Sequence, residues 1–343
     1  MINNSYITKN VKLLVHGLRN ILKDRVLILL YHRIANFEPD PQLLCVTPQH
    51  FAEQMQVVRK YYEYMSLQDL KLLIQSRKIP HRGLVVTFDD GYLDNLQNAF
   101  PILEDFHIPA TVFAISEYVG KQVEMTSDVL ESILLQTETL PPILQLRLGE
   151  KTWEWVLENY PAQRTSWNVT MGEYPSPRHR CYDDLHRLLR PMTLAERQAV
   201  LQQLLDWSGG SSTERPERRV MNVPELLRIS HSGLVEIGSH SANHLMLAQQ
   251  PIEIQQTEIT GSKFKLEQML GREISSFAYP YGGKLAVDNS TIDCVREAGF
   301  DIACDNIQRT VNNNVNILAL PRILIRDWDG KEFRNRLQKA LSF

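Results

Sequence analysis

The sequence predicts an α/β protein with a parallel sheet, closed into a barrel or, as the alternative, doubly wound and open. Two patterns carry that expectation, and the length permits it. Seven short apolar runs read as strands, several of them without polar alternation, as befits strands covered on both faces. They are Val26–Tyr31, Leu84–Phe88, Ala110–Ile115, Leu234–Gly238, Ser276–Tyr279, Asp301–Cys304 and Ile317–Ile323. Most gaps between them hold helical periodicity, at Leu67–Gln75, Tyr92–Phe106, Ile252–Leu270 and Ser290–Ala298 among others. Strands alternating with helices pair in parallel through right-handed crossovers. A chain of 343 residues, 43% of them apolar, has room for one such barrel with insertions. Seven or eight strand–helix units favour closure, and no internal repeat is visible.

Ahead of the first strand, residues 1–25 place Val11, Leu14, Val15, Leu18 and Leu22 at helical spacing, with Lys12, His16 and Arg19 on the other side. An amphipathic helix is expected, docked on the domain or, through its basic face, resting on a membrane surface. Charges interrupt this segment too often for a bilayer span. No small-residue cleavage site follows an uninterrupted apolar stretch, so no export signal is read and a cytoplasmic place, at the inner face of the membrane if the helix rests there, is the default.

The barrel is expected at 26–116 and 233–343, because 117–232 is far too long for one crossover. That insertion reads as a lid or subdomain, mainly helical. It holds four of the five tryptophans (Trp153, Trp155, Trp167, Trp207), which either stack on sugars or are buried. A helix opens at Thr193 with Glu196 completing a capping box, and "SGGSSTERPERR" reads as a connector. The net charge of −3, with no long basic block, gives no support to nucleic-acid binding. Cys45, Cys181, Cys294 and Cys304 are scattered, so neither a disulfide framework nor a thiolate zinc site is expected.

In a parallel barrel the functional groups gather at the C-terminal ends of the strands. There the sequence places His32, then Asp89-Asp90-Gly91, then "GSHSANH" with His240 and His244, then "YPYGG", and finally "PRILIRD". Two histidines four apart share a face on a helical turn and so reach one ion; a chance surface pair is the plain alternative. Asp90 adds a carboxylate, and two imidazoles with one carboxylate leave coordination positions open. Alone, Asp89-Asp90-Gly91 reads equally as a solvated turn; with the histidines it reads as a site.

"TFDDGY", followed downstream by "HSANH" and "FAYPYG", resembles the polysaccharide deacetylase (NodB-homology) family, carbohydrate esterase family four. The resemblance spans roughly residues 26–330 apart from the insertion and implies an irregular (β/α)7 barrel. It implies Asp89 as general base and Asp90, His240 and His244 as ligands of one divalent ion, zinc by preference. The backbone N–H of Tyr281 would stabilise the oxyanion. Two positions depart from the pattern: Ala278 stands where many members carry an arginine that orients the base, and no histidine follows His244 to act as general acid. His32, in "LLYHRI", is similar to a Tyr-His motif that supplies the acid in a rearranged branch acting on poly-N-acetylglucosamine. Arg322 is the candidate for the absent arginine; a surface ion pair is its alternative. Arg326, Asp327 and Trp328 receive no role.

The function implied is removal of acetyl groups from N-acetylated sugars of a polysaccharide or its precursor. Hydrolysis of another, cyclic amide and an inactive glycan-binding protein are the alternatives.

Overall fold

A computed structural model describes residues 24–158, 162, 166–210 and 215–342. The amphipathic helix expected at 1–25 therefore lies, up to residue 23, outside the described residues.

Seven strands form one parallel sheet: β1 Val26–Tyr31, β2 Gly83–Phe88, β3 Ala110–Ala114, β4 Val235–Ser239, β5 Ser276–Ala278, β6 Ile302–Cys304 and β7 Ile323–Leu324. Their order is β6-β5-β4-β3-β2-β1-β7, and the short strand Glu63–Tyr64 adds to β2. Residues 317–320 run along β6: Ala303 N–H donates to Ile317 O (3.0 Å), Leu320 N–H to Ala303 O (2.8 Å) and Asp305 N–H to Leu320 O (2.9 Å). The same stretch then leads into β7, which pairs with β1. The sheet thus curls into an irregular seven-stranded barrel, as the sequence predicts.

The last strand is shorter than the expected Ile317–Ile323. Asn316 turns the chain, its side chain accepting from Leu318 N–H (3.0 Å), and Pro321 has no N–H to give to a ladder. Apolar runs report burial, and here burial extends further than regular pairing does.

Both faces of the sheet are covered, which explains the unbroken apolar runs. On β1, Val26 and Ile28 pack inside the barrel with Val85, Phe113, Ile302 and Leu320; Leu27, Leu29 and Tyr31 pack outside against helices. The outer layer includes Pro48–Tyr61, which Thr47 caps and Pro48 opens, burying Phe51, Met55 and Val58 at helical spacing. Leu67–Gln75 starts on a Ser66/Asp69 capping box, and Ile252–Leu270 stops at Gly271, whose φ of +65° suits a left-handed cap.

The insertion has its own apolar cluster, which includes Leu130, Leu144, Trp167, Tyr182, Leu185 and Leu204. Helices Thr126–Glu131, Pro177–Leu189 and Leu194–Trp207 build it, the last on the expected Thr193/Glu196 capping box. An antiparallel hairpin, Ile143–Leu148 with Lys151–Val156, joins them, so the segment is less helical than expected. Its signal was the alternation of buried Leu144 and Leu146 with exposed Gln145 and Arg147. Trp155, Trp167 and Trp207 direct their indole N–H groups to Asp184, Glu173 O and Ile143 O within the insertion. Trp167 is buried, while Trp153, Trp155 and Trp207 are half-buried against the same cluster. Among the described residues no helix is long and apolar enough to cross a membrane.

Candidate metal and catalytic site

Strand parity decides which side chains enter the barrel mouth. The inner face of β1 runs from Val26 and Ile28 toward His32, that of β2 from Val85 and Thr87 toward Asp89, and that of β6 from Ile302 and Cys304 toward Asn306. His32, Asp89, His240 and Asn306 accordingly line one cavity of about 320 Å³, together with Asp90, His244 and Tyr281. Asp90, one residue past Asp89, would face away. A φ of +70° at Asp90 and +71° at Gly91 turns it back. Four of the eight non-glycine residues with positive φ among those described are Asp90, Ser241, His244 and Tyr281. Strain of this kind persists where surrounding structure enforces it, and it concentrates at functional sites.

Arg322 answers the missing arginine. Its guanidinium grips Asp89 bidentately, Nη1 to Oδ1 and Nη2 to Oδ2, both at 2.7 Å, with both side chains at most 1% exposed. Nε donates to Asp305 O (3.0 Å) and Nη2 also to Asn306 Oδ1 (2.5 Å). Asn306 is seated by Gly282, whose φ is +53° and whose missing Cβ would stand 2.7 Å from Asn306 N; only glycine allows that approach. Burial opposes the charge on Asp89, but Arg322 outweighs it and holds the carboxyl below its ordinary value.

Asp90 is placed differently. Its Oδ1 is buried with no hydrogen-bond partner, 3.6 Å from His240 Nε2 and 3.4 Å from His244 Nε2. His240 Nδ1 lies 2.8 Å from Ala278 O and so carries the proton it donates there, which leaves Nε2 with its lone pair facing the site. Burial lowers the pKa of both imidazoles, that of His244 well below its ordinary value, and they are neutral at pH 7. Burial and the charge of Asp89 push Asp90 up to about 8. Ligand atoms of Asp90, His240 and His244 thus converge within 4.8 Å of one another, with a proton held on Asp90 near pH 7 when no ion is bound. Such a group fits a cation, and two nitrogens with one oxygen suit zinc chemistry. Asp89 and Asp90, 1% and 4% exposed, do not form a solvated turn.

The structure brings all seven sequence-derived residues together, with one correction to the reasoning. His240 and His244 do not share a helical turn. They sit on the loop after β4, folded by φ values of +60° at Ser241 and +54° at His244, and tied by His244 N–H to Ser241 Oγ (3.0 Å). His32 is half-buried, and burial, moderated by Asp89, lowers its pKa to about 4. Tyr281 packs its ring 4.7 Å from that of His244, and its backbone N–H has no partner among the described residues.

Sequence reasoning missed His186 and Arg190, which the insertion contributes to the cavity, and Asn306 and Arg326. The last two follow β6 and β7, so the strand-end rule could have found them. No motif marks the first two. Arg197, also from the insertion, donates to His244 O (3.1 Å).

Fold and site together define a parallel barrel with three residues at its strand ends, Asp90, His240 and His244, that could hold a cation. A family model described as polysaccharide deacetylase matches residues 76–140 and 211–303, and the chain belongs to the polysaccharide deacetylase (NodB-homology) family. A poly-β-1,6-N-acetyl-D-glucosamine N-deacetylase of Staphylococcus epidermidis is 30% identical over 111 residues, covering 29% of this chain and 38% of that protein. One from Staphylococcus aureus is 21% identical over 330 residues, covering 90% and 84%. The segments matched in the first two curated relatives span only 37% and 38% of those proteins. Among solved structures, the Streptococcus pyogenes deacetylase PplD in complex with acetate aligns with a TM-score of 0.57 at 17% identity, covering 92% of this chain and 98% of that one. IcaB from Ammonifex degensii aligns with 0.56 at 16%, covering 93% and 97%. At these identities the structural likeness speaks for the fold alone.

Proposed function

We propose that the chain is a metal-dependent hydrolase that removes acetyl groups from N-acetylated sugars of a polysaccharide or its precursor. One observation carries the reading: of two adjacent buried carboxylates, Asp89 is held by Arg322 while Asp90 faces the Nε2 atoms of His240 and His244. The names of the staphylococcal relatives support the substrate class. A divalent ion held by Asp90, His240 and His244, zinc by our choice, would supply Lewis acidity to the acetyl carbonyl and to water.

Asp89 takes the proton of the attacking water. Its lowered pKa suits an acidified water rather than a bulk one, and Arg322 fixes both its oxygens in place. Tyr281 offers its unengaged backbone N–H to the oxyanion. His32 passes a proton to the leaving nitrogen. Because its lowered pKa leaves it neutral at pH 7, that proton arrives during the cycle, and Asp89, with which it is in electrostatic contact, is the source.

Acetate release from N-acetylglucosamine oligomers and acetylated exopolysaccharide tests the reading. Release by the wild type and a fall of roughly 10²–10⁴ in His32→Ala are expected. No release across the panel would favour another amide or a binding role; a change of less than a few-fold in His32→Ala would make that residue structural.

A further inference from the structure

We propose that the cavity contains an anion subsite formed by Arg190 and Arg326, and that the substrate sugar carries a phosphate or carboxylate group. The proposal rests on the deacetylase reading and names its substrate more closely.

The charges lining the cavity do not balance for a neutral glycan. Asp89 is matched by Arg322, and Asp90 faces the cation site. Arg190 and Arg326 line the same cavity, and neither makes an ion pair among the described residues, although the charge of Asp40, itself bound to Leu44 N–H and Cys45 N–H, acts on Arg326. Arg190 stands 5.4 Å over the Tyr281 ring and gives one bond, Nη2 to His186 Nδ1 (3.2 Å); its Nε is buried without a partner. Arg326 engages Nη1 alone, with Gln42 O (3.0 Å) and Leu43 O. Each guanidinium has five N–H donors, so most of theirs remain free. Two such charges beside a metal site repel each other and the ion unless an anion joins them.

The surroundings agree. Past Leu324 and Arg326 the cavity meets a groove of about 1420 Å³, where Arg309 and Lys339 are exposed and unpaired among the described residues and Asp24 is the one acidic lining residue. The chain as a whole is net negative, so this excess is local. Arginine pairs bind phosphate and carboxylate oxygens in planar, bidentate geometry. A phosphate would come from the anomeric position of a precursor, a carboxylate from an aminouronate unit of a polymer.

Calorimetric titration of the metal-loaded protein with N-acetylglucosamine, its 1-phosphate and an N-acetylated aminouronate tests the subsite without catalysis. Binding of one anionic sugar at least tenfold tighter than the neutral one is expected, and whichever is preferred identifies the source. Arg190→Gln with Arg326→Gln should bring the ratio close to one, Arg190→Lys should keep most of it, and in acetate release the difference should fall in KM. Equal affinity for neutral and anionic sugars, or a preference unchanged in the double variant, would overturn the proposal. Tight anion binding without acetate release would leave the subsite standing and remove the deacetylase reading instead.

Discussion

Two buried charge clusters in this molecule use the same side chains and do different things. Around Arg33, every carboxylate meets an arginine. Arg33 pairs with Asp94 (3.0 Å) and Asp128 (2.6 Å), Arg215 pairs with Glu131 (2.6 Å) and Glu124 (2.5 Å), and Arg33 also donates to Arg218 O. This network ties the insertion to the segments that follow β1 and β2. At the barrel mouth Arg322 saturates Asp89, while Asp90 keeps an oxygen with no donor. Burial of charge therefore does not mark function here. What sets Asp90 apart is that its unpartnered oxygen faces the Nε2 atoms of His240 and His244, a group that fits a cation.

The comparison can be broken by substitution, and the largest effects belong at the mouth. Asp90→Ala is expected to abolish metal binding and acetate release together, measured by elemental analysis and product assay. Next come the two arginines. Arg322→Met and Arg33→Met each remove the closest ion-pair partner of a buried carboxylate and should cost about 3–5 kcal/mol in denaturant unfolding. Their activities should part company: Arg33→Met should keep its rate per folded molecule within a few-fold, whereas Arg322→Met should lose it with Asp89 misplaced. Loss of bound metal in Arg33→Met would erase the distinction between the clusters.

The smallest effect is a pH dependence of the metal-free protein. Folded Asp90 titrates at about 8, against about 3.9 unfolded, so between those values the folded state holds a proton the unfolded chain has released. Stability then falls as pH rises. The lowered histidines pull the other way only below their unfolded value of about 6.5. Between pH 6.5 and 8 the thermal midpoint of the metal-free protein should fall, and Asp90→Asn or added metal should flatten the slope. A flat profile in the metal-free wild type would show Asp90 to be matched after all.

Much of the barrel was legible because strands buried on both faces leave unbroken apolar runs, and β1 was bounded to the residue. The site was legible because the strand-end rule places His32, Asp89 and His240 where apolar runs stop. Hidden from the sequence was how Asp90 turns inward beside Asp89, through a positive φ that Gly91 extends. The loop geometry of His240 and His244 was hidden for the same reason: spacing four suggests a helix, and the loop reaches the same proximity through strained residues. Arg190 and His186 had no signal at all. They come from an insertion whose own packing fixes them, and their approach to the barrel mouth is a tertiary fact.

The central claim is that adjacent Asp89 and Asp90 hold separate roles, base and ligand. The most direct test is the metal content of purified wild type, Asp89→Asn and His240→Ala, read beside acetate release. About one divalent ion per chain is expected in the wild type and in Asp89→Asn, little in His240→Ala, and no acetate release from either variant. Full metal retention by His240→Ala would contradict the account.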